Sequence, residues 1–313
     1  MKILIVGDQH RTDKRPKNRT DDYYATLIRK TLWQFDFAMR NSCECIIFPG
    51  DVFDTYKTPF NVVREMIRLT RKCEDGVIGI KCLYTFGQHD VRYHTTDVNN
   101  TPLGVLLAGT SGELLGSEPF VFDNNGKPVH VYGAGWGEDV PEPIDSEACN
   151  IIATHRMVIG DNPLWEGQTD YVTAKDLLQD TRYALWACGD NHQRVIASTL
   201  RHKHVVNMGS MMRSTIAQFG HTPAVCLYDT DTRRISIHDI PHAPFENVFK
   251  ADEIAEKVET DTRIQDFVES LKSVDTSVTD FSKALAAYMQ TNDIPDNVVT
   301  AINKITNMEK YHG

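Results

Sequence analysis

Five apolar runs in this chain each stop at a cluster of hard-metal ligands, and that repeated junction constrains the fold more than any other feature. Runs over 2–6, 45–49, 82–86 and 184–188 lead into Gly7-Asp8-Gln9-His10, Gly50-Asp51-Val52-Phe53-Asp54, Gly87-Gln88-His89-Asp90 and Gly189-Asp190-Asn191-His192. A fifth run, 150–153, closes on Thr154-His155. Short continuous apolar runs of this kind read as buried strands. Ligands at the ends of successive strands converge on one rim of a sheet, although the sequence spreads them over roughly 180 positions. Oxygen and imidazole ligands without thiolate suit manganese, magnesium or iron-type chemistry. The pattern predicts a hydrolytic site holding two metal ions.

The first half of the chain alternates strand and helix. Thr20 reads as the N-cap of a helix over 21–39 that turns Leu27, Leu32 and Phe35 inward. Pro59 opens a second helix to about Arg71, and a strand over 80–86 follows. The second half reads as short strands over 129–133, 150–154, 184–188, 194–199, 204–208 and 224–228, with one helix over 173–179. Asp229-Thr230-Asp231-Thr232 turns the last of these into a hairpin with 234–240. This mixture predicts an α/β chain built as a two-sheet β-sandwich flanked by helices. A boundary at Pro241-His242-Ala243-Pro244 divides residues 1–244 from a small helical C-terminal region, 245–313. Helices are expected there over 251–259, 263–272, 280–290 and 295–308, with Phe267, Leu271, Phe281 and Leu285 on apolar faces used for packing or docking.

With 313 residues, 41% hydrophobic and 24% charged, the chain can bury a sizeable core. No apolar stretch approaches the roughly 18–20 residues of a membrane span. Met1 runs straight into a strand, so no removable signal segment is expected and a cytoplasmic location is. Seven cysteines form no zinc-type pairing, and Cys43 and Cys45 are expected on one strand face as core filling. The net charge of −10 is uneven: residues 246–313 carry −6, leaving −4 on the rest. Directly after His10, the stretch 11–19 holds five cations, Arg11, Lys14, Arg15, Lys17 and Arg19. Such a run is either a solvated loop or a set of phosphate contacts, and Arg213 presents the same choice.

Together the five motifs resemble the calcineurin-like metallophosphoesterases, and within them the SbcD-type nuclease subunits of DNA-repair complexes and their phage-encoded relatives. Asp8-Gln9-His10 is similar to the family's D-x-H, Gly50–Asp54 to G-D-x-x-D, Gly87–Asp90 to G-N-H-D and Gly189–His192 to G-H-x-H. Asn207-Met208-Gly209-Ser210 resembles the N-P-G-S turn that follows, and the likeness spans about residues 1–240. The resemblance implies one cation on Asp8, His10, Asp51 and His192, and a second on Asp51, Gln88, His155 and Asp190. It implies that His89 protonates or stabilises the leaving oxygen and that the Asp54 carboxylate orients it. Gln88 stands where the family has Asn, and Asp190 where it has His. Both keep a ligand-capable atom, and the added carboxylate favours manganese or magnesium over zinc. Alternatively His155 is a core histidine, and Asp190 caps a turn while Asn191 fills its place.

The substrate implied is DNA, cut by exonuclease and endonuclease activity, with an SbcC-type ATPase as partner and a homodimer as one assembly. Arg11, Lys14, Arg15, Lys17, Arg19 and Arg213 are the expected DNA contacts. Two rival readings remain: a phosphodiesterase or phosphatase for a nucleotide or phosphoprotein, and a non-catalytic interaction subunit.

Overall fold

The computed structural model describes residues 1–250 except 77, 78, 94 and 166. The chain divides into two compact units, Met1–Glu253 and Ile254–Gly313, and the first contains every described residue. Its elements in order are β1 (Lys2–Ile5), α1 (Tyr23–Arg40), β2 (Cys45–Pro49), α2 (Phe60–Glu74), β3 (Lys81–Thr85), α3 (Pro102–Ala108), β4 (Glu113–Leu114), β5 (Phe120–Asn124), β6 (Lys127–Ala134), β7 (Cys149–His155), β8 (Val158–Ile159), β9 (Val172–Thr173), α4 (Ala174–Gln179), β10 (Leu185–Gly189), β11 (Val195–Ser198), β12 (His204–Asn207), β13 (Ala224–Asp229) and β14 (Arg234–Asp239).

The strands form two mixed six-stranded sheets, ordered β14-β13-β1-β2-β3-β4 and β11-β12-β10-β7-β6-β5, with β8 and β9 as a small pair. In the first sheet β1, β2 and β3 run parallel and β13 joins β1 antiparallel. In the second, β10 is parallel to both β7 and β12. Alternation along each strand sends successive side chains to opposite faces. Ile3 and Ile5 of β1 therefore pack with Ile47, Val131, Ile151 and Leu185 in a core shared by both sheets. Leu4 packs the other way, with Ile46, Phe48 and Tyr84, under Leu27 and Phe35 of α1 and Val62, Val63 and Met66 of α2. Trp186, Ile152 and Tyr132 on the outer face of the second sheet meet Ala174 and Leu177 of α4. The outcome is α/β, two sheets flanked by a few helices.

Several local expectations are corrected. The cap of α1 is Asp22, whose carboxylate accepts the Ala25 N–H at 3.0 Å, rather than Thr20. Leu32 is 39% exposed, because it lies five residues past Leu27, roughly 140° around the helix. Cys43 and Cys45 are both buried but in different cores, since Cys43 precedes β2 and its N–H bonds Ala38 O at the end of α1. Past 244 the chain stays with the first unit: Phe245, Val248 and Phe249 are buried, and the Lys250 N–H donates to Asn18 O. The helices expected over 251–259, 263–272, 280–290 and 295–308 lie outside the described residues. Among the described residues no helix is long and apolar enough to cross a membrane.

Candidate metal centre

Five strand ends build the site, at the carboxyl edge where parallel sheets open a crevice. β1 runs on to Asp8, β2 to Asp51 and β3 to Gln88, while β7 ends on His155 and β10 is followed by Asp190. The two sheets are tied together here by backbone. Asp8 N donates to Gly209 O at 3.1 Å, Asp190 N to Asp8 Oδ2 at 3.0 Å, and His155 Nδ1 to Pro49 O at 2.8 Å. The Gln9 and His10 N–H groups both bond the carbonyl of Asp51, at 3.0 and 2.9 Å. Gly87 must lack a side chain, because a Cβ there would run into Asp51 Oδ1. His10, Asp51 and Asp190 have φ of 41°, 46° and 86°, a left-handed conformation uncommon outside glycine. Such backbone persists where surrounding structure enforces it, and it concentrates at functional sites.

Two ligand groups share Asp51. In the first, His10 Nε2 lies 2.9 Å from His192 Nε2 and 3.6 Å from Asp51 Oδ2, and His192 Nε2 lies 3.9 Å from Asp8 Oδ2. In the second, His155 Nε2 lies 3.3 Å from Asp51 Oδ2 and 4.0 Å from Asp190 Oδ1, while Gln88 Nε2 donates to Asp190 Oδ1 at 2.9 Å. Four of these side chains end in a buried atom with no hydrogen-bond partner: Asp8 Oδ1, Asp51 Oδ2, Gln88 Oε1 and His155 Nε2. A buried acceptor left unpaired costs about 1–3 kcal/mol. Three oxygens and one imidazole nitrogen gathered at one rim are a donor set that fits divalent cations.

The charges point the same way. Burial pushes the His10 imidazole down to about 3 and also lowers His192, so both stay neutral, as ligation requires. Burial raises the Asp8 carboxyl, and Asp51 and Asp190 add to the rise despite His155. Burial would lower His155, but Asp51, Asp8 and Asp190 together carry it up to about 10. For Asp51 burial is outweighed chiefly by the charge and hydrogen bond of His155, which keep it ionised. A crowd of carboxylates that must borrow protons or imidazolium is relieved by a cation.

His89 sits at the edge of this group, its ring 4.9 Å from that of His10. Its Nδ1–H donates to the backbone carbonyl of Asp54 at 2.7 Å. The carboxylate expected to orient His89 instead has Oδ1 4.0 Å from His10 Nδ1. With Nδ1 fixed, Nε2 faces the centre, and ligand atoms of His10, Asp51 and His89 lie within 4.8 Å of one another. Asn191 faces away from the ligands: its Nδ2 donates to Val158 O and its Oδ1 accepts from Gln193 N. Sequence reading gave Asp90 no part, yet its buried carboxylate accepts N–H bonds from Val52, Phe53 and Gly87 at 2.9 to 3.1 Å. It clamps the second motif to the third. The one available signal was its place as the last residue of Gly87-Gln88-His89-Asp90.

The basic stretch divides in two. Lys14, Arg15 and Lys17 are exposed. Arg11, Arg19 and Arg213 are buried, which corrects their expected role as surface contacts. Arg11 donates to Gln9 Oε1 at 3.0 Å, and Arg19 is forked on the Asp21 carboxylate at 2.8 Å. Compared with known proteins, the chain matches no protein-family model and no curated protein.

Proposed function

We propose that the chain is a two-metal phosphodiesterase acting on DNA, of the calcineurin-like metallophosphoesterase type. The observation that carries this reading is the convergence of Asp8 Oδ1, Asp51 Oδ2, Gln88 Oε1 and His155 Nε2, all buried and without a hydrogen-bond partner, with Asp51 Oδ2 met only by the ion-pair contacts of His155 and His10. Asp8, His10, Asp51 and His192 would hold one cation and Asp51, Gln88, His155 and Asp190 the other. When bound, a pair of manganese or magnesium ions neutralises a phosphodiester and supplies an acidic water. Asp51 keeps its carboxylate ionised and shared between the two ligand groups. His89, its Nδ1–H held by the Asp54 carbonyl, presents Nε2 to hand a proton to the departing oxygen.

Two surface features favour DNA over a small ester. Lys14, Arg15 and Lys17 project from the loop that follows His10, where they can meet backbone phosphates. Just past the second and third motifs, the rings of Tyr56 and Tyr93 lie 5.9 Å apart, with Lys57 over the first and Arg92 over the second. Tyr93 is 70% exposed, and exposed aromatics flanked by cations suit an unpaired base. The same reading gives partner docking, to an SbcC-type ATPase, to the acidic residues past 250, since a charge near −6 suits protein better than a polyanion.

End-labelled linear double-stranded DNA, incubated with manganese, magnesium or EDTA, tests the proposal. Manganese-dependent cleavage that is lost in His89→Ala is expected. Turnover of bis-p-nitrophenyl phosphate without DNA cleavage would keep the metal chemistry and reject DNA. Silence with both substrates would reject the phosphodiesterase.

A further inference from the structure

A basic pocket of about 370 Å³ lies between α1, the loop ahead of it, Arg213 and the stretch 241–248, and the metal chemistry uses none of it. Its charged walls are Arg19, Arg29, Lys30 and Arg213, opposed by Asp21 and Asp22. Three of the cations are buried: Arg19 is 3%, Lys30 4% and Arg213 5% exposed. Cations are seldom buried unless paired. Here the Asp21 carboxylate is taken up by Arg19, through Nε and Nη2, and by the Thr26 hydroxyl. Lys30 Nζ donates to Met211 O at 2.7 Å and Arg213 Nη2 to Ala243 O, both neutral carbonyls. Arg213 Nε is buried with no partner.

Four basic side chains against two carboxylates leave up to two positive charges uncompensated in the walls, the second of them present when Lys30 holds its proton. Glu246, which also acts on Arg213, is exposed and outside the lining. We infer that this pocket is a second binding site, separate from the metal centre, for a phosphate monoester dianion. A dianion balances the two charges, and guanidinium forks match phosphate oxygens. The volume falls within the roughly 300–1,000 Å³ of small-molecule sites, so it admits the group esterified to the phosphate as well. Burial, and then the charges of Arg213 and Arg19, push Lys30 down to about 7, and an anion in the pocket would restore its proton. The inference stands apart from the phosphodiesterase reading, since no metal ligand takes part.

The test is calorimetric titration of the full chain with inorganic phosphate in EDTA, so that no phosphate is held through a metal. One phosphate per chain is expected, bound about tenfold more weakly by Lys30→Met or by Arg29→Ala, the loss of one charged hydrogen bond. Arg29 is exposed and bonds only Thr26 Oγ1 among the described residues, so that variant spares the fold. No binding, or binding unchanged in both variants, overturns the inference. Titration with a 5′-phosphorylated oligonucleotide and its 5′-hydroxyl form then identifies the source of the phosphate. Preference for the phosphorylated strand supports a chain end as ligand. Equal strands, with phosphate itself bound, support a free nucleotide or phosphate.

Discussion

The imidazole of His155 is anchored through Nδ1 to the carbonyl of Pro49, 106 positions earlier, and this leaves Nε2 facing Asp51 and Asp190. One hydrogen bond thereby fixes both the tautomer and the direction of a ligand. His155→Phe should leave the first ligand group intact and disable the second. Manganese titration of the variant is expected to show one bound ion where the parent chain binds two. An unchanged stoichiometry would show that His155 is not a ligand. The metal-free variant should also lose about 1–3 kcal/mol of stability in urea, because the Pro49 carbonyl is left unpaired.

Asp90 accepts three backbone N–H bonds from two different loops. An amide at that position offers one oxygen and brings two donors into a pocket of donors. Asp90→Asn is therefore expected to cost about 2–4 kcal/mol in urea denaturation, a sizeable part of a domain's margin of about 5–15 kcal/mol. The loops holding Asp51 and Gln88 should loosen with it, seen as faster amide exchange at Val52 and Phe53. A change under 0.5 kcal/mol would mean that the clamp is unimportant.

The tether on His89 is a backbone carbonyl, so replacing the Asp54 side chain leaves it in place. Asp54→Ala is expected to retain phosphodiester hydrolysis within about tenfold, whereas His89→Ala should lose 10²–10⁴-fold, the usual worth of a positioned acid. Steady-state cleavage of linear DNA, whose leaving alkoxide needs the proton, compares the two variants directly. Equal losses would return the orienting role to the carboxylate.

Lys30 supplies a pH dependence whose causes include none of the proposed ligands. Its folded value is near 7 against an ordinary 10.5, because burial and two arginines oppose its charge. Between those values the unfolded chain holds a proton that the folded chain has released, so stability rises with pH across the window. The parent chain should gain on the order of 2 kcal/mol from Lys30 between pH 7 and 9. Lys30→Met should lack that gain. Urea midpoints at the two pH values, compared between the chains, give the answer, and identical slopes would contradict it.

The strand ends were legible because each ligand follows an apolar run, and strand period and metal chemistry point to the same residues. β2 spans the expected 45–49, and β1, β3 and β10 fall within a residue or so of expectation at each end. Helix α3 was not legible: seven residues interrupted by Gly104 carry too little periodicity. The β5–β6 hairpin was legible and overlooked, since Asn125-Gly126 between apolar runs is a strong turn signal, and both residues have positive φ. Arg11 shows the limit of charge counting. A cation in a basic run is ordinarily solvated, but this one is buried against Gln9, Tyr84 and Tyr24, and only the packed structure reveals it.

β1 lies between β2 and β13 in its sheet, so this strand gains its antiparallel neighbour only when residues 224–229 have been made. Asp8 likewise waits for Gly209 to receive its N–H, and His10 for His192. On a ribosome moving at about 5–20 residues per second, that delay is roughly 10–40 seconds. Until His192 has been made, the nascent chain holds only part of the proposed ligand set. A chain truncated before His192 would therefore lack the proposed site, and the strand order itself acts as a timer.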